Sequence, residues 1–361
     1  MTRIKADGQE MDLMVDTGSE GLFFIDKDSL GKLVPHDEAC ESYPYGCYKG
    51  SSKGCKEVEI KNRFCDGSCA HLVCEEGTIE AGGEVITGVQ FGLVINYTPV
   101  GHWPHAALGM ALREGGDGRS ISFIRQLRNK GLIDTMDFSM YFSRGNPNEG
   151  ELIIGGHDPN RRGALLEKIP LGYKHDRWTI VMTRVRVGEE EEITMWQEMT
   201  IDSGSTDLCL STDVYEKVVE SLKRESTKNA KREVMVYDST IHRWYLSSCS
   251  DRSHMPSIEI LFSAPPSWPI EIPQKFYVES QNTSTGERCY LALHADDSTQ
   301  HTGIIGVNLL RKYYISFLYN ERQITFSSVK ANRNKNMPDE LRQIGATYLH
   351  EDWLTSGEAS P

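Results

Sequence analysis

Met14-Val15-Asp16-Thr17-Gly18-Ser19 decides how this chain is read, because the pattern returns as Thr200-Ile201-Asp202-Ser203-Gly204-Ser205-Thr206. Each copy has an apolar lead-in, an Asp, a small hydroxyl residue, a Gly and a second hydroxyl. The Gly lets the backbone turn and approach a neighbour closely. One Asp-Thr-Gly alone is an ordinary turn sequence. Two in one chain are a plan for a reactive carboxylate pair. Thr17, Gly18 and Ser19 shape one loop, and Ser203, Gly204 and Ser205 the other. Ser19 and Ser205 read as hydrogen-bonding loop residues rather than nucleophiles, since no Gly-x-Ser-x-Gly setting surrounds them.

Outward from these loops the pattern is that of short strands. Residues 8–15 alternate loosely and deliver Asp16 at a strand tip, and Leu22-Phe23-Phe24-Ile25 follows as a second apolar strand. Alternation resumes over 84–86, 89–95, 106–110, 138–143 and 151–156. In the second half strands are predicted over 184–187, 258–262, 275–278, 289–293, 304–307, 313–318 and 323–326. Two helices are predicted. Ser120 caps one that carries Ile121, Ile124 and Leu127 and stops at Gly131; Thr212 caps one with Tyr215, Val218, Val219 and Leu222 on its apolar side. The acidic run Glu189 to Glu192 reads as a solvated hairpin turn. Residues 31–74 are loop-rich, with a turn-forming Asp66-Gly67 that fits a hairpin tip. His102 and His105, beside Trp103 and Pro104, read as surface-loop residues and take no role.

The chain has 361 residues, enough for two lobes with their own cores. Its 39 basic and 52 acidic side chains leave a formal charge of −13, which disfavours nucleic acid or an anionic membrane as a partner. A peptide or small-molecule substrate fits better. No run approaches the ~20 apolar residues that span a bilayer, and the polar start, Met1 to Glu10, shows no signal peptide. Six of the nine cysteines, at 40, 47, 55, 65, 69 and 74, cluster in the first half. An even local cluster points to disulfides and an oxidising compartment. Zinc on Cys65, Cys69, Cys74 and His71 is the rival, with a spacing that matches no common zinc module. Asn96-Tyr97-Thr98 and Asn282-Thr283-Ser284 are glycosylation sequons that favour the same compartment.

With both Asp loops placed, the sequence resembles the pepsin-like aspartic peptidases, in order from about Gly8 to Val329. Leu108-Gly109 and Ile305-Gly306 are similar to the segments that thread beneath each catalytic loop in that family. Gly150 to Asp158 and Gly306 to Tyr314 are similar to further family signatures. The resemblance implies a mostly β, bilobal, pseudo-twofold fold with a cleft between the lobes: 1–172 carrying the first Asp, the Cys-rich insertion and the flap, 173–330 carrying the second Asp, and 331–361 as a polar tail. It implies an aspartic endopeptidase with Asp16 and Asp202 as the catalytic pair, no metal or organic cofactor, and a peptide or protein substrate. Both loops lie in one chain, so a monomer is expected and a dimer of half-size subunits is not. Secretion or residence in the secretory pathway is the expected localisation. A disulfide between Cys249 and Cys289 is expected because the resemblance places one in this part of the second lobe.

The departures from the family carry information. Phe64-Cys65-Asp66-Gly67-Ser68 resembles the flap, with Phe64 at the place of the family's Tyr, and Phe23 stands where the family has a Trp. The Tyr hydroxyl and Trp indole bond to each other in the family, so both partners are missing together, a change that can be nearly neutral. Phe64, Asp66, Gly67, Ser68 and Phe23 are the expected flap and substrate-binding residues, forming an apolar contact. The resemblance's long cleft beneath a hairpin flap implies an extended substrate, and Phe23, Phe24 and Phe64, expected near the carboxylates, imply that it is largely apolar. The Cys-rich first lobe loosely resembles the plasmepsin V branch. Asp16 lies close to Met1, so its strand is expected to lack an earlier partner and the chain to be incomplete at its N-terminus. The competing reading is a bilobal binding or inhibitor protein that has lost catalysis.

Overall fold

Alternating burial along the first sixteen residues lays down the first two strands of the molecule. In this computed structural model the described residues are 1–330 apart from 34–39, 41, 51–54, 56–59, 65–66, 101–102, 113–121, 143–149, 174–176, 241, 263–268, 284–285 and 297–301. Strand β1 (Thr2–Ala6) buries Thr2, Ile4 and Ala6, and β2 (Gln9–Asp16) buries Met11, Leu13 and Val15. They pair antiparallel from Thr2↔Leu13 to Ala6↔Gln9. The expectation that the Asp16 strand lacks an earlier partner is therefore overturned. Residues 2–6 read as polar because their buried positions are alternate, short and only partly apolar.

Five more strands complete this sheet: β3 (Glu20–Ile25), β4 (Ile60–Arg63), β5 (Cys69–Ala81), β6 (Glu84–Thr98) and β7 (Ala107–Met110), in the order β1-β2-β7-β3-β6-β5-β4. The decisive element is β7. It runs parallel to β2, with Asp16↔Gly109, and antiparallel to β3, with Gly21↔Gly109. A Cβ at Gly109 would lie 2.5 Å from the Glu20 carbonyl carbon, so this crossing requires a glycine.

The second lobe repeats the device. Its seven-stranded sheet runs Ile270–Ile272, Ile258–Phe262, Thr179–Val187, Ile193–Ile201, Thr302–Ile305, Leu208–Ser211, Leu293–Asp296. Thr302–Ile305 is parallel to Ile193–Ile201, with Ile201↔Ile305, and antiparallel to Leu208–Ser211. The helix Thr212–Ala230 buries Val214, Val218, Val219 and Leu222 with Tyr215 half-buried beside them, and its N-cap is Ser211, one residue before the expected Thr212. The acidic turn is not merely solvated. Glu189 meets Lys228 and Glu190 meets Arg224, which moors the hairpin to this helix. A four-stranded sheet, Met235–Asp238, Arg243–Leu246, Gly286–Leu291, Val278–Thr283, completes the lobe. The strand predicted over 275–278 begins only at Val278, because Gln274–Phe276 forms a tight turn of 3₁₀ helix after Pro273.

A five-stranded sheet joins the two halves: Arg162–Pro170, Gln323–Val329, Tyr314–Leu318, Phe138–Phe142, Gly150–Ile154. The last strands of the chain thus pair with strands from its first half. Phe138 stacks on Phe317 at 4.4 Å, and Trp178, 1% exposed, packs against both and donates from Nε1 to the Met110 carbonyl at 2.8 Å. The expected cap Ser120, with Ile121, lies outside the described residues; the helix seen is Phe123–Asn129, with Ile124 and Leu127 buried and Gly131 closing it at φ 70°. The fold is mostly β, as expected.

Candidate active site

Asp16 ends β2 and Asp202 follows Ile193–Ile201, each where its strand is flanked by the threading segment. Both carboxylates are buried, at 5% and 8% exposure. The Asp16 carboxylate stands close enough to Asp202 to act on its charge state. Each is held from behind by its own loop. The Gly18 and Ser19 N–H groups donate to Asp16 Oδ1 at 2.8 and 3.2 Å, and the Gly204 N–H donates to Asp202 Oδ1 at 2.8 Å. The Ser205 N–H also supports the Asp202 carboxyl.

The glycines face across the pair. A Cβ at Gly18 would lie 2.5 Å from Asp202 Cγ, and one at Gly204 would lie 2.5 Å from Asp16 Cγ. Any larger residue at either position would displace the carboxylate of the opposite loop. Thr17 and Ser203 tie the loops together. Thr17 Oγ1 donates to the Ile201 carbonyl at 2.7 Å, and Ser203 Oγ donates to the Val15 carbonyl at 2.7 Å. Each hydroxyl also accepts from the other residue's N–H, at 2.9 and 3.2 Å. Ser19 acts through its backbone, its N–H donating to Asp16 and its carbonyl accepting the Ala111 N–H at 3.0 Å, while its hydroxyl is buried with no partner among the described residues.

Burial and the adjacent Asp16 charge push the Asp202 carboxyl well above the ordinary carboxylate range; the Gly204 and Ser205 N–H groups pull the other way and lose. Desolvation disfavours a second negative charge beside the first. One proton shared by two carboxylates is the state this geometry favours.

Strands β4 and β5 pair from Ile60↔Leu72 to Arg63↔Cys69. Phe64 donates its N–H to the Ser68 carbonyl at 2.9 Å, and Gly67, at φ 88°, makes the turn. Asp66 lies outside the described residues, as does Cys65. Phe64 and Phe23 are in ring contact at 6.5 Å. They belong to a small cluster that also holds Met14, Tyr45 and Tyr97. Met14 and Asp16 share one face of β2, so this cluster sits beside the first carboxylate. Phe24 does not. Strand alternation turns it to the opposite face, against Phe91 at 5.0 Å and Tyr48, so the expectation of three phenylalanines near the carboxylates fails at Phe24. His105 was missed. It is 3% exposed and packs against Phe64, which corrects its reading as a surface-loop residue; His102 lies outside the described residues. The adjacent backbone bond from Met14 to Ala106 shows why: position 105 is set by the buried threading strand, which a His-Trp-Pro-His run conceals.

Cys249 and Cys289 are bonded, with Cα atoms 5.1 Å apart. In the first lobe Cys40 pairs with Cys47 and Cys55 with Cys74. The second bridge takes Cys74 out of the zinc-type set. Glu287 lies close enough to Cys249 and Cys289 to form a cation site, but both sulfurs are joined in the disulfide. A hollow of about 450 Å³ beside that bridge, lined by Tyr237, Tyr245 and Arg288 among others, contains neither carboxylate.

The two-lobed β fold brings one buried carboxylate from each lobe together, an arrangement able to share one proton. The family model for eukaryotic aspartyl proteases matches residues 2–329. Candidapepsin-1 of Candida albicans (strain WO-1) is 23% identical over 344 residues, covering 92% of this chain and 81% of that protein. Secreted aspartic protease 8 of Candida albicans is 24% identical over 334 residues, covering 91% and 74%. The chain belongs to the eukaryotic aspartyl protease family. It is an aspartic endopeptidase, and its substrates are peptides or proteins. The reading as an inactive binding or inhibitor protein draws no support from these matches. Among the described residues no helix is long and apolar enough to cross a membrane.

Proposed function

We propose that Asp16 and Asp202 are the catalytic pair and together activate a water molecule for attack on a peptide bond. The observation that carries this reading is the reciprocal seat, in which the glycine of each loop abuts the carboxylate of the other. One carboxyl of the pair, kept protonated because burial and the neighbouring charge oppose a second ionisation, donates to the peptide carbonyl oxygen. Its ionised partner takes the proton from the water, whose oxygen bonds to the carbonyl carbon; the resulting diol then collapses, breaking the C–N bond as the amine takes a proton from the pair. No covalent enzyme intermediate is needed. Two carboxyls this close cannot both ionise easily, as is general for aspartic protease pairs. Thr17, Gly18 and Ser19, with Ser203, Gly204 and Ser205, hold the two carboxylates in register.

The hairpin of Phe64, Asp66, Gly67 and Ser68 serves as the flap over an extended peptide, with Phe23 beneath it. Phe23 is fully buried, which supports a supporting role under Phe64 rather than direct contact with substrate. The division 1–172, 173–330 and 331–361 describes the lobes and tail. Two complete loops in one chain favour a monomer. Secretion is favoured by the three disulfides, by the exposed sequon residues Asn96 and Asn282, and by relatives named as secreted proteases.

The test is turnover of a peptide library at acidic pH by purified wild type, Asp16→Asn and Asp202→Asn. Each substitution keeps size and removes one carboxylate. Both are expected to lower kcat by orders of magnitude with the melting transition retained. Unchanged rates in either variant would refute the pair.

A further inference from the structure

His105 is a buried histidine with an aromatic ring on several sides and no part in the carboxylate chemistry. Its ring centre lies 4.8 Å from that of Phe64, 5.9 Å from Phe23 and 6.2 Å from Tyr45. Phe64 has its other ring neighbours farther off, Tyr97 at 6.3 Å and Phe23 at 6.5 Å. The imidazole is therefore the nearest ring support of Phe64 among the described residues.

The two sides of this contact are held differently. The chain at His105 is fixed on both flanks: the Tyr43 hydroxyl donates to the Pro104 carbonyl at 2.6 Å, and the Met14 N–H donates to the Ala106 carbonyl at 2.9 Å. His105 directly precedes the Ala106-Ala107 entry to β7, whose Gly109 pairs with Asp16. Phe64 instead follows β4, which among the described residues pairs only with β5 at the edge of its sheet. An edge hairpin is held by fewer backbone bonds than a central strand, so side-chain packing counts for more in holding it. Tyr97 adds a second tie, its hydroxyl donating to Ser68 Oγ at 3.1 Å, but that tie runs to β6 and away from β2 and β7.

We propose that His105 is a positioning residue for substrate binding, the post on which flap residue Phe64 rests, so that the rail carrying Asp16 also fixes the flap above it. This rests on the reading of the 60–69 hairpin as the flap. With Phe at position 64 and Phe at 23, no hydroxyl-to-indole bond can hold the hairpin down. Ring packing on His105 takes over that task. Because His105 acts through Phe64, its removal should weaken binding of an extended peptide more than it slows the bond-breaking step.

The experiment uses an internally quenched extended peptide chosen from wild-type turnover, with His105→Ala, His105→Leu, His105→Phe, Phe64→Ala and the double variant Phe64→Ala/His105→Ala. His105→Leu keeps much of the volume without a ring, so it reports if the alanine variant fails to fold. The expected result is a KM raised on the order of tenfold by His105→Ala or His105→Leu, with kcat changed less than about twofold. His105→Phe should restore KM to near wild type. The double variant should be no worse than Phe64→Ala alone, since both substitutions break one contact. Hydrogen exchange at the Phe64 and Gly67 amides should quicken in His105→Ala. A lowered melting temperature with KM unchanged, or additive effects in the double variant, would overturn the proposal while leaving the flap reading intact. A Phe64→Ala variant with wild-type KM would instead remove the flap reading itself.

Discussion

Thr17 and Ser203 exchange matching hydrogen bonds between the two lobes: each hydroxyl donates to a carbonyl one residue before the opposite Asp and accepts the N–H of the other residue. The arrangement lets each loop fix the other. Replacing Thr17 by Val keeps its shape but strands the Ile201 carbonyl and the Ser203 N–H. A buried group left without its partner costs about 1–3 kcal/mol. Thr17→Val and Ser203→Ala should each lower stability by that order and reduce kcat. Because the residues act as one unit, the double variant should lose less than the sum. Denaturant titration and kinetics on the three variants check this; strict additivity would show that the hydroxyls act separately.

Gly18→Ala and Gly204→Ala probe the reciprocal seat. The added methyl would stand 2.5 Å from the opposite carboxylate carbon in each case, closer than real contacts allow. Unlike a distant surface change, this displaces the carboxylate that the other loop presents. Both variants should fold and lose at least about a hundredfold in kcat, since small misplacements at a reacting centre have effects of that size. Wild-type turnover by either would show that the seat has slack the geometry denies.

The carboxylate loops and threading segments were legible because they combine local turn chemistry with repetition. Gly18 and Gly204, Gly109 and Gly306 all sit where close approach leaves no room for a Cβ, and such demands leave letters in a sequence. The core strands were legible through alternation. What stayed hidden depends on contacts distant in the chain. Strand β1 is invisible until it pairs with β2, and the turn over 274–276 cannot be told from a strand by its apolar residues alone. Phe23 and Phe24 look equivalent in sequence, yet the two-residue period of a strand sends one to the hairpin and the other to the main core. The pairing of Cys40 with Cys47 and Cys55 with Cys74 is set by contacts made in the folded chain, and spacing alone does not select it.

The raised Asp202 carboxyl predicts how stability varies with pH. Its ordinary value is 3.8, and the folded value lies well above that. The native state thus keeps a proton that the unfolded chain releases, so stability falls with rising pH across the interval between the two values. The stabilisation is fully present below the unfolded value and lost once pH passes the folded one. Asp202→Asn cannot ionise, so its stability should be flatter over this window. It should match wild type in acid and exceed it near neutrality. Melting curves across the interval test the sign: a wild type that gains on Asp202→Asn as pH rises would contradict it.

The Cys249–Cys289 bridge closes a loop with a sequence separation of 40 residues in the second lobe. Cross-linking a loop of that length removes unfolded-state entropy worth about 4 kcal/mol in the chain-entropy account. The bridge ties the turn of 3₁₀ helix over Cys249–His254 to the strand Gly286–Leu291, neither of which carries a residue of an Asp loop. Cys249→Ser/Cys289→Ser should therefore lower the melting temperature by about 5 °C. Below the new transition, kcat and KM should stay within about twofold of wild type, because no bond to either Asp loop runs through this bridge. Cys40→Ser/Cys47→Ser provides the contrast, since that bridge spans only 7 residues and joins the segment carrying Tyr43 and Tyr45. A short loop removes less entropy, so the melting shift should be smaller, while KM should rise through the aromatic cluster under the hairpin. Equal melting losses with KM unchanged in both variants would show that loop length and position do not govern what these disulfides do.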